Sequence, residues 1–289
     1  MVWRGVGGVR HGLRVYHFGL AYRRGGPGAR AVKPPSAAGM KSRHLSGALL
    51  LLITLALLFC GVVYLALRGD VLARMDNAVF NALQTWREPW TDQAMVALTQ
   101  LGSLYTIGAL FAAAGAVLLW RRHWRAAWHW LAAHGFAVVV PLALKQILHL
   151  PRPLDLYTGV SAYGFPSAHA TMSMVSYGFF AWLVAQGTGK PWRWTVYGAA
   201  GLIIMIVIVS RLYLGAHWLS DVLGGLTLGL FWVTLLTISY RRRACARLPA
   251  RALGVAALLA LLLSAIWYLT QRHAQEAQRY TLSEVYIVR

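Results

Sequence analysis

Three short stretches gather the polar residues of a chain that otherwise has few. The first is Lys145-Gln-Ile-Leu-His149-Leu-Pro-Arg152-Pro153, the second Phe165-Pro166-Ser167-Ala168-His169. The third is Ser210-Arg211, then five residues, His217, then three residues, Asp221. Lys145, Arg152 and Arg211 supply three cations. A tetrahedral phosphate spreads its negative charge over several oxygens, and the planar guanidinium fork of Arg matches that geometry. Pro166 and Ser167 stand where a helix begins, and a helix N-terminus offers free N–H groups and a positive dipole end to an anion. Proline fits the first turn because its missing N–H costs nothing there. His217 and Asp221 are four apart on one helix face. A carboxylate that accepts the Nδ1–H of His217 leaves Nε2 free to attack and stabilises the imidazolium that forms. His169, on another helix, can protonate a leaving oxygen, a contribution of about 10²–10⁴-fold. Together these groups read as phosphoryl transfer through a phosphohistidine, with positioning and electrostatics supplying most of the rate. Asp155 and Asp221 are the only carboxylates nearby, too few to hold Mg²⁺ or Zn²⁺. No metal and no cofactor are expected.

Elements far apart in sequence must bring these stretches together. A bilayer core takes about twenty apolar residues per helix. Seven runs qualify: 45–67, 101–120, 127–149, 170–187, 195–214, 218–239 and 252–270. An N-terminus in the cytoplasm puts segments 1–44, 121–126, 188–194 and 240–251 inside, with nineteen of the 28 Lys+Arg. That basic bias sets the orientation. The first stretch then ends span three, the second opens span four and the third joins spans five and six, all at the outer face. Segment 70–92 carries Leu72, Met75, Val79, Leu83, Trp86 and Trp90 at spacings of three and four, one amphipathic helix. It either lies on the outer membrane surface or packs on the bundle. Gly225-x-x-x-Gly229 offers a dimer face or close packing within the bundle. Cys60 and Cys245 lie at opposite levels and are not expected to pair.

The balance of residues agrees with a membrane protein. The chain of 289 residues is 58% hydrophobic and 12% charged, with a formal net charge of +20. Soluble domains are nearer a quarter charged. The basic residues sit in short clusters between apolar runs, unlike the basic face of a nucleic-acid binder, and thirteen Trp suit a membrane–water boundary. Residues 1–39 hold seven Lys+Arg, nine Gly and no acid. They read as a dispensable cytoplasmic tail or an upstream-extended start before Met40. Blander explanations exist for each residue alone. Lys145 and Arg211 could snorkel from span ends, His217–Asp221 could be a structural pair, and Pro151-Arg152-Pro153 only a rigid loop. His134 reads as a core histidine. His149, Ser210 and Pro153 are candidates for supporting roles around the site. Tyr157 and Tyr163 flank the site loop, either as substrate contacts or as interfacial aromatics.

In this order, Lys-x6-Arg-Pro, Pro-Ser-x-His and Ser-Arg-x5-His-x3-Asp resemble the signature of the type 2 phosphatidic acid phosphatase superfamily. That family includes membrane lipid phosphatases with a six-helix core, soluble acid phosphatases and vanadium haloperoxidases. The resemblance covers about residues 45–240. It implies an all-α membrane bundle of six helices, here followed by a seventh span within 241–289 and preceded by a basic segment, 1–44. It implies that His217 is the nucleophile, Asp221 its partner and His169 the acid, with Lys145, Arg152, Ser167, Ala168 and Arg211 around the phosphate. The family has Gly where this chain has Ala168. A helical φ there would keep the cradle unstrained. The implied activity is metal-independent hydrolysis of a lipid phosphomonoester or diphosphate at the periplasmic face of a bacterial inner membrane. Undecaprenyl diphosphate comes first, then phosphatidylglycerophosphate or phosphatidic acid, with lipid A phosphatases and phosphotransferases using the same residues. The expected partners are the lipid substrate and the bilayer, with no nucleic acid. A non-enzyme rival is a degenerate transporter or structural membrane protein, but no motif position is lost.

Overall fold

The computed structural model describes residues 37–69, 71–154, 156–242 and 247–280. The basic block 1–36, Asp155 and Cys245 lie outside the described residues. The elements are α1 (Ala37–Arg68), α2 (Val71–Gln84), α3 (Pro89–Thr99), α4 (Leu104–Trp120), α5 (Trp124–Leu148), α6 (Ala168–Gln186), α7 (Lys190–Tyr213), α8 (Leu219–Arg241), α9 (Ala250–Gln271) and α10 (His273–Tyr280). Among the described residues no β-strand occurs; the one β contact is an isolated bridge between Pro151 and Tyr163.

Six stretches are long and apolar enough to cross a membrane: Ser46–Arg68, Pro89–Trp120, Trp124–Leu148, Lys190–Tyr213, Leu219–Arg241 and Ala250–Gln271. The chain is a multi-pass membrane protein. The fourth expected run, 170–187, is absent from that set, and the reason is its position. It forms α6, which is buried along most of its length and packs against α5, α7 and α8. A helix encircled by protein needs no lipid-facing surface, so α6 can carry Thr171, Ser173, Ser176 and Tyr177 in its interior faces. The outer helices show the opposite pattern, with Leu50, Leu57, Val139, Leu202 and Leu263 exposed to their surroundings.

Lipid tails are as apolar as Leu, so helices in a bilayer associate through close packing rather than through burial alone. The Gly225–Gly229 pair does this inside the bundle. A Cβ at Gly225 would lie 2.7 Å from the Ser167 carbonyl oxygen, and one at Gly229 would lie 2.8 Å from the Met174 Cβ. The small residues bring α8 against the start of α6, where His169 sits. His134 is the core histidine the sequence suggests: Nδ1 bonds the Trp130 carbonyl at 3.0 Å and Nε2 meets Ser176 Oγ at 3.1 Å.

Segment 70–92 departs from expectation. It is two helices, because the chain turns at Thr85–Glu88 and Pro89 opens a new helix at its first position, where proline is tolerated. Of its two proposed placements, the bundle contact holds. Leu72 and Asp76 are buried, and α2 packs on α7 and α8. Asp76 accepts the Ser220 N–H at 2.8 Å and the Ser220 hydroxyl at 2.7 Å. It therefore satisfies one of the free donors in the first turn of α8, one residue from Asp221. Asp76→Ala removes both bonds and leaves a buried N–H unpaired. The expected cost is about 1–3 kcal/mol, read as a lowered Tm in detergent.

Candidate active site

The three motif stretches meet at one end of the bundle, and short connections place them there. Between α7 and α8 the chain reverses at Gly215, whose φ of +62° suits glycine. A Cβ there would also lie 2.7 Å from Leu154 Cδ1. His217 follows at once, just before α8. Its Nδ1–H donates to Asp221 Oδ2 at 3.0 Å, and both side chains are almost fully buried. The same carboxylate oxygen accepts the Trp218 N–H at 3.1 Å, so Asp221 also caps its own helix. With Nδ1 protonated, the neutral imidazole keeps an unprotonated Nε2. Burial holds His217 well below the usual histidine range, and Arg152, Arg211 and Lys145 push in the same direction.

Arg152 covers that Nε2. Its Nη1 donates to His217 Nε2 at 2.9 Å and to the Ala216 carbonyl, while Nε donates to the Ser161 carbonyl at 2.7 Å. Burial, then Arg211, lowers it to about 10, so the guanidinium stays cationic at neutral pH. Arg211 is buried deeper. Nη1 donates to the hydroxyls of Thr99 at 3.4 Å and Tyr280 at 3.0 Å, and Nη2 to the Tyr157 hydroxyl at 3.0 Å. Among the described residues its Nε–H finds no partner. Lys145 donates to the carbonyls of Tyr163 and, at 2.8 Å, Gly164. It thus reaches the loop that leads into α6 and fixes it beneath Asp221. That approach requires Gly164, because a Cβ there would stand 2.5 Å from Asp221 Oδ2.

Ser167 is the N-cap of α6: its Oγ accepts the Ala170 N–H at 3.4 Å, and its own N–H donates to the Asp221 carbonyl at 2.9 Å. Ser167 and Asp221 therefore hold the two helix starts together. Pro166 precedes the cap and does not lie in the first turn as its sequence position suggests, because the helix starts one residue beyond Ser167. Ala168 is the first helical residue and is absent from the positive-φ positions, so no strain follows from its side chain. His169 lies on the wall of a cavity with Arg211 and is within electrostatic reach of Arg152 and Lys145. Ser210 donates its hydroxyl to the Val207 carbonyl of its own helix at 2.7 Å. His149 ends α5 in a left-handed conformation, its ring edge-on to Tyr163 at 4.6 Å. Pro153 lies in the loop after Arg152.

The salt bridges among the described residues are Arg87–Asp92, His217–Asp221 and Arg279–Glu276. None of them holds Lys145, Arg152 or Arg211. Buried charge without a counter-charge is costly, and three cations around one imidazole pair form a site that an anion would complete. No group of three His, Cys, Asp or Glu among the described residues could gather around a metal ion.

The family model of the PAP2 superfamily matches residues 126–245, which contain all three motifs. Phosphatidylglycerophosphatase B of Bacillus subtilis (strain 168) is 30% identical over 178 residues, 60% of this chain and 87% of that protein. The chain belongs to the PAP2 superfamily. It is a membrane phosphatase of that superfamily, all-helical as the motifs imply. A crystal structure of a transmembrane PAP2-type phosphatidylglycerolphosphate phosphatase from Bacillus subtilis aligns with a TM-score of 0.59 at 28% identity, covering 66% of this chain and 97% of that one. An undecaprenyl-diphosphatase of Sulfolobus acidocaldarius is 35% identical over a shorter reach, 30% of this chain and 35% of that protein.

The PAP2 motifs do not account for the whole site. Tyr157 lies among the motif residues: the Arg152 guanidinium is 4.4 Å from its ring centroid, and its hydroxyl accepts from Arg211 Nη2 at 3.0 Å. Tyr280, Thr99 and Gly102 carry no motif. Gly102 lies beside the histidine: a Cβ there would be 3.2 Å from His169 Cδ2 and 2.6 Å from Val207 Cγ1. For Tyr280 a signal existed in the charge pattern, which puts the tail after the last span on the same side as the motifs. For Thr99 and Gly102 nothing in the sequence separates them from other residues near a helix end.

Proposed function

We propose that this PAP2 phosphatase hydrolyses a lipid phosphomonoester or diphosphate, without a metal, through a phosphohistidine on His217. The observation that carries this reading is the set of three cations, none in an ion pair among the described residues, grouped around a buried His–Asp pair. An incoming phosphate dianion draws the Arg152 guanidinium to its oxygens and so uncovers Nε2. It also takes the free Nε–H of Arg211. Nε2 attacks phosphorus, an N–P bond forms and the bond to the leaving oxygen breaks. The dianion offsets the cations near His169 and lets that imidazole hold the proton it gives to the leaving oxygen. A water molecule then attacks phosphorus, His169 takes its proton, the N–P bond breaks and inorganic phosphate leaves. Lys145 and Ser167 hold the loop and the start of α6 against Asp221, where further phosphate oxygens can be met by the first N–H groups of α6.

The site end of the bundle is taken as the outer, periplasmic face of a bacterial inner membrane, supported by the excess of Lys+Arg in the opposite loops. There a headgroup reaches the site while the tail stays in lipid, with residues 45–240 as the catalytic core. Undecaprenyl diphosphate and phosphatidylglycerophosphate are the two leading substrates. The latter is supported by the longer match, to the Bacillus protein. The test is phosphate release in EDTA from undecaprenyl diphosphate, phosphatidylglycerophosphate, phosphatidic acid and lipid A by purified enzyme. Release from one or both leading lipids, unchanged by EDTA, is expected. Activity that EDTA abolishes and Mg²⁺ restores would refute metal independence, and no release from any lipid would refute the substrate class.

A further inference from the structure

The segment after α8 lies almost wholly outside the residues that match the family, yet it reaches the site. α9 packs along α4, and α10 packs on α3. Arg87, paired with Asp92, donates to the Tyr280 carbonyl at 2.6 Å and ties down the end of α10. The buried Tyr280 hydroxyl then meets Arg211. Beside it runs a cavity of about 180 Å³. His169 and Arg211 form its inner wall, and Arg272, Glu276 and Arg279 of the C-terminal helices form its outer part. The volume suits a headgroup and is below the roughly 300 Å³ at which pockets for larger ligands begin. Its charge is mostly of one sign. Glu276 pairs with Arg279 at 3.1 Å, whereas among the described residues Arg272 is in no ion pair: it donates to Gln275 Oε1 and the Tyr105 hydroxyl, each at 3.4 Å, and lies 5.8 Å from the Tyr105 ring centroid.

The direction of this cavity matters. On the proposed mechanism, on which this inference rests, His169 protonates the leaving oxygen, so the leaving group occupies the side that His169 faces. We propose that Arg272 and Arg279 form a second anion subsite for a phosphate or phosphodiester carried by the leaving group. The C-terminal helices, absent from the six-helix pattern, then select lipids that carry two phosphates over lipids that carry one. A diphosphate places its second phosphate directly beyond the scissile bond, and phosphatidylglycerophosphate places a phosphodiester one glycerol away. Phosphatidic acid and prenyl monophosphates have no second phosphate. Guanidinium forks suit this task, since they bind phosphate oxygens in pairs. Glu276 holds Arg279 in place until an anion displaces it.

The test compares the full-length enzyme with Arg272→Gln/Arg279→Gln. kcat/KM is measured on farnesyl diphosphate against farnesyl monophosphate, and on phosphatidylglycerophosphate against phosphatidic acid with the same acyl chains. The double variant is expected to lower the ratio of the two-phosphate to the one-phosphate substrate by about 10- to 100-fold in at least one pair. The pair that responds tells whether the second group is a diphosphate or a phosphodiester. Calorimetry with inorganic diphosphate and inorganic phosphate supplies a readout that does not depend on turnover. The intact protein should bind diphosphate at least about tenfold more tightly, the double variant should bind the two alike, and Glu276→Gln should tighten diphosphate further. Unchanged ratios in both pairs, or equal binding of the two anions by the intact protein, would overturn the subsite. Absence of turnover on every lipid, with the diphosphate preference intact, would instead count against the proposed function.

Discussion

His217→Ala is expected to cut phosphate release by about 10⁴-fold or more and to abolish any acid-labile phosphoenzyme. The magnitude follows from what the residue supplies. Without Nε2 the proposed nucleophile is gone, and water must attack directly. Arg152 and Arg211 remain, so the substrate still binds and a residual electrostatic rate survives. KM should therefore change little while kcat collapses, which separates loss of a nucleophile from loss of binding. Misfolding is a poor rival explanation. Arg152 keeps its bonds to the Ser161 and Ala216 carbonyls, and Asp221 keeps the Trp218 N–H. The check is a single-turnover assay with radiolabelled lipid, quenched in base to preserve an N–P bond. Full activity in the variant would mean that another group attacks, and the His–Asp pair would then have to be structural.

Much of this site could be read before any fold was known, and the reason is chemical. Charge inside a membrane span is expensive, so Lys145, Arg211 and Asp221 stand out against long apolar runs. Fixed spacings then add His169 and His217. What could not be read is where each cation points. Lys145 looks like a phosphate ligand by type, yet its ammonium bonds the carbonyls of Tyr163 and Gly164. Its contact depends on a loop whose path no periodicity encodes. Asp76 was invisible for a related reason. An acid in an amphipathic segment reads as solvated, and only the docking of α2 on α8 turns Asp76 into a cap for Ser220. The expected run 170–187 is α6, a helix of the bundle that carries less hydropathy than its neighbours because it is surrounded by protein rather than lipid. Ala168, which stands where the family has Gly, begins α6 and carries no positive-φ strain.

Asp221→Asn is expected to lower kcat by about 10²–10⁴-fold with little change in KM, and it distinguishes a catalytic carboxylate from a structural one. Two hydrogen bonds converge on Asp221 Oδ2, from His217 Nδ1–H and from the Trp218 N–H. If the residue served only to cap α8 and orient the ring, an amide oxygen in the same place would accept both bonds and activity would persist. Two consequences of the missing charge argue otherwise. In the first orientation the amide oxygen keeps the geometry, but the imidazolium that forms as His217 takes the phosphoryl group loses its counter-charge in a buried setting. In the other, the amide NH₂ faces Nδ1 and the Trp218 N–H. That forces the proton to Nε2, where it blocks attack and opposes the Arg152 donor at 2.9 Å. Gly164 packs so closely over the carboxylate that the side chain has little room to move to a third arrangement. Both orientations therefore slow the chemical step while the cations still hold the substrate. Steady-state kinetics beside a melting curve provide the check. A wild-type kcat at normal Tm would show that the pair only shapes the helix start, whereas a fallen kcat at normal Tm assigns Asp221 to the transition state.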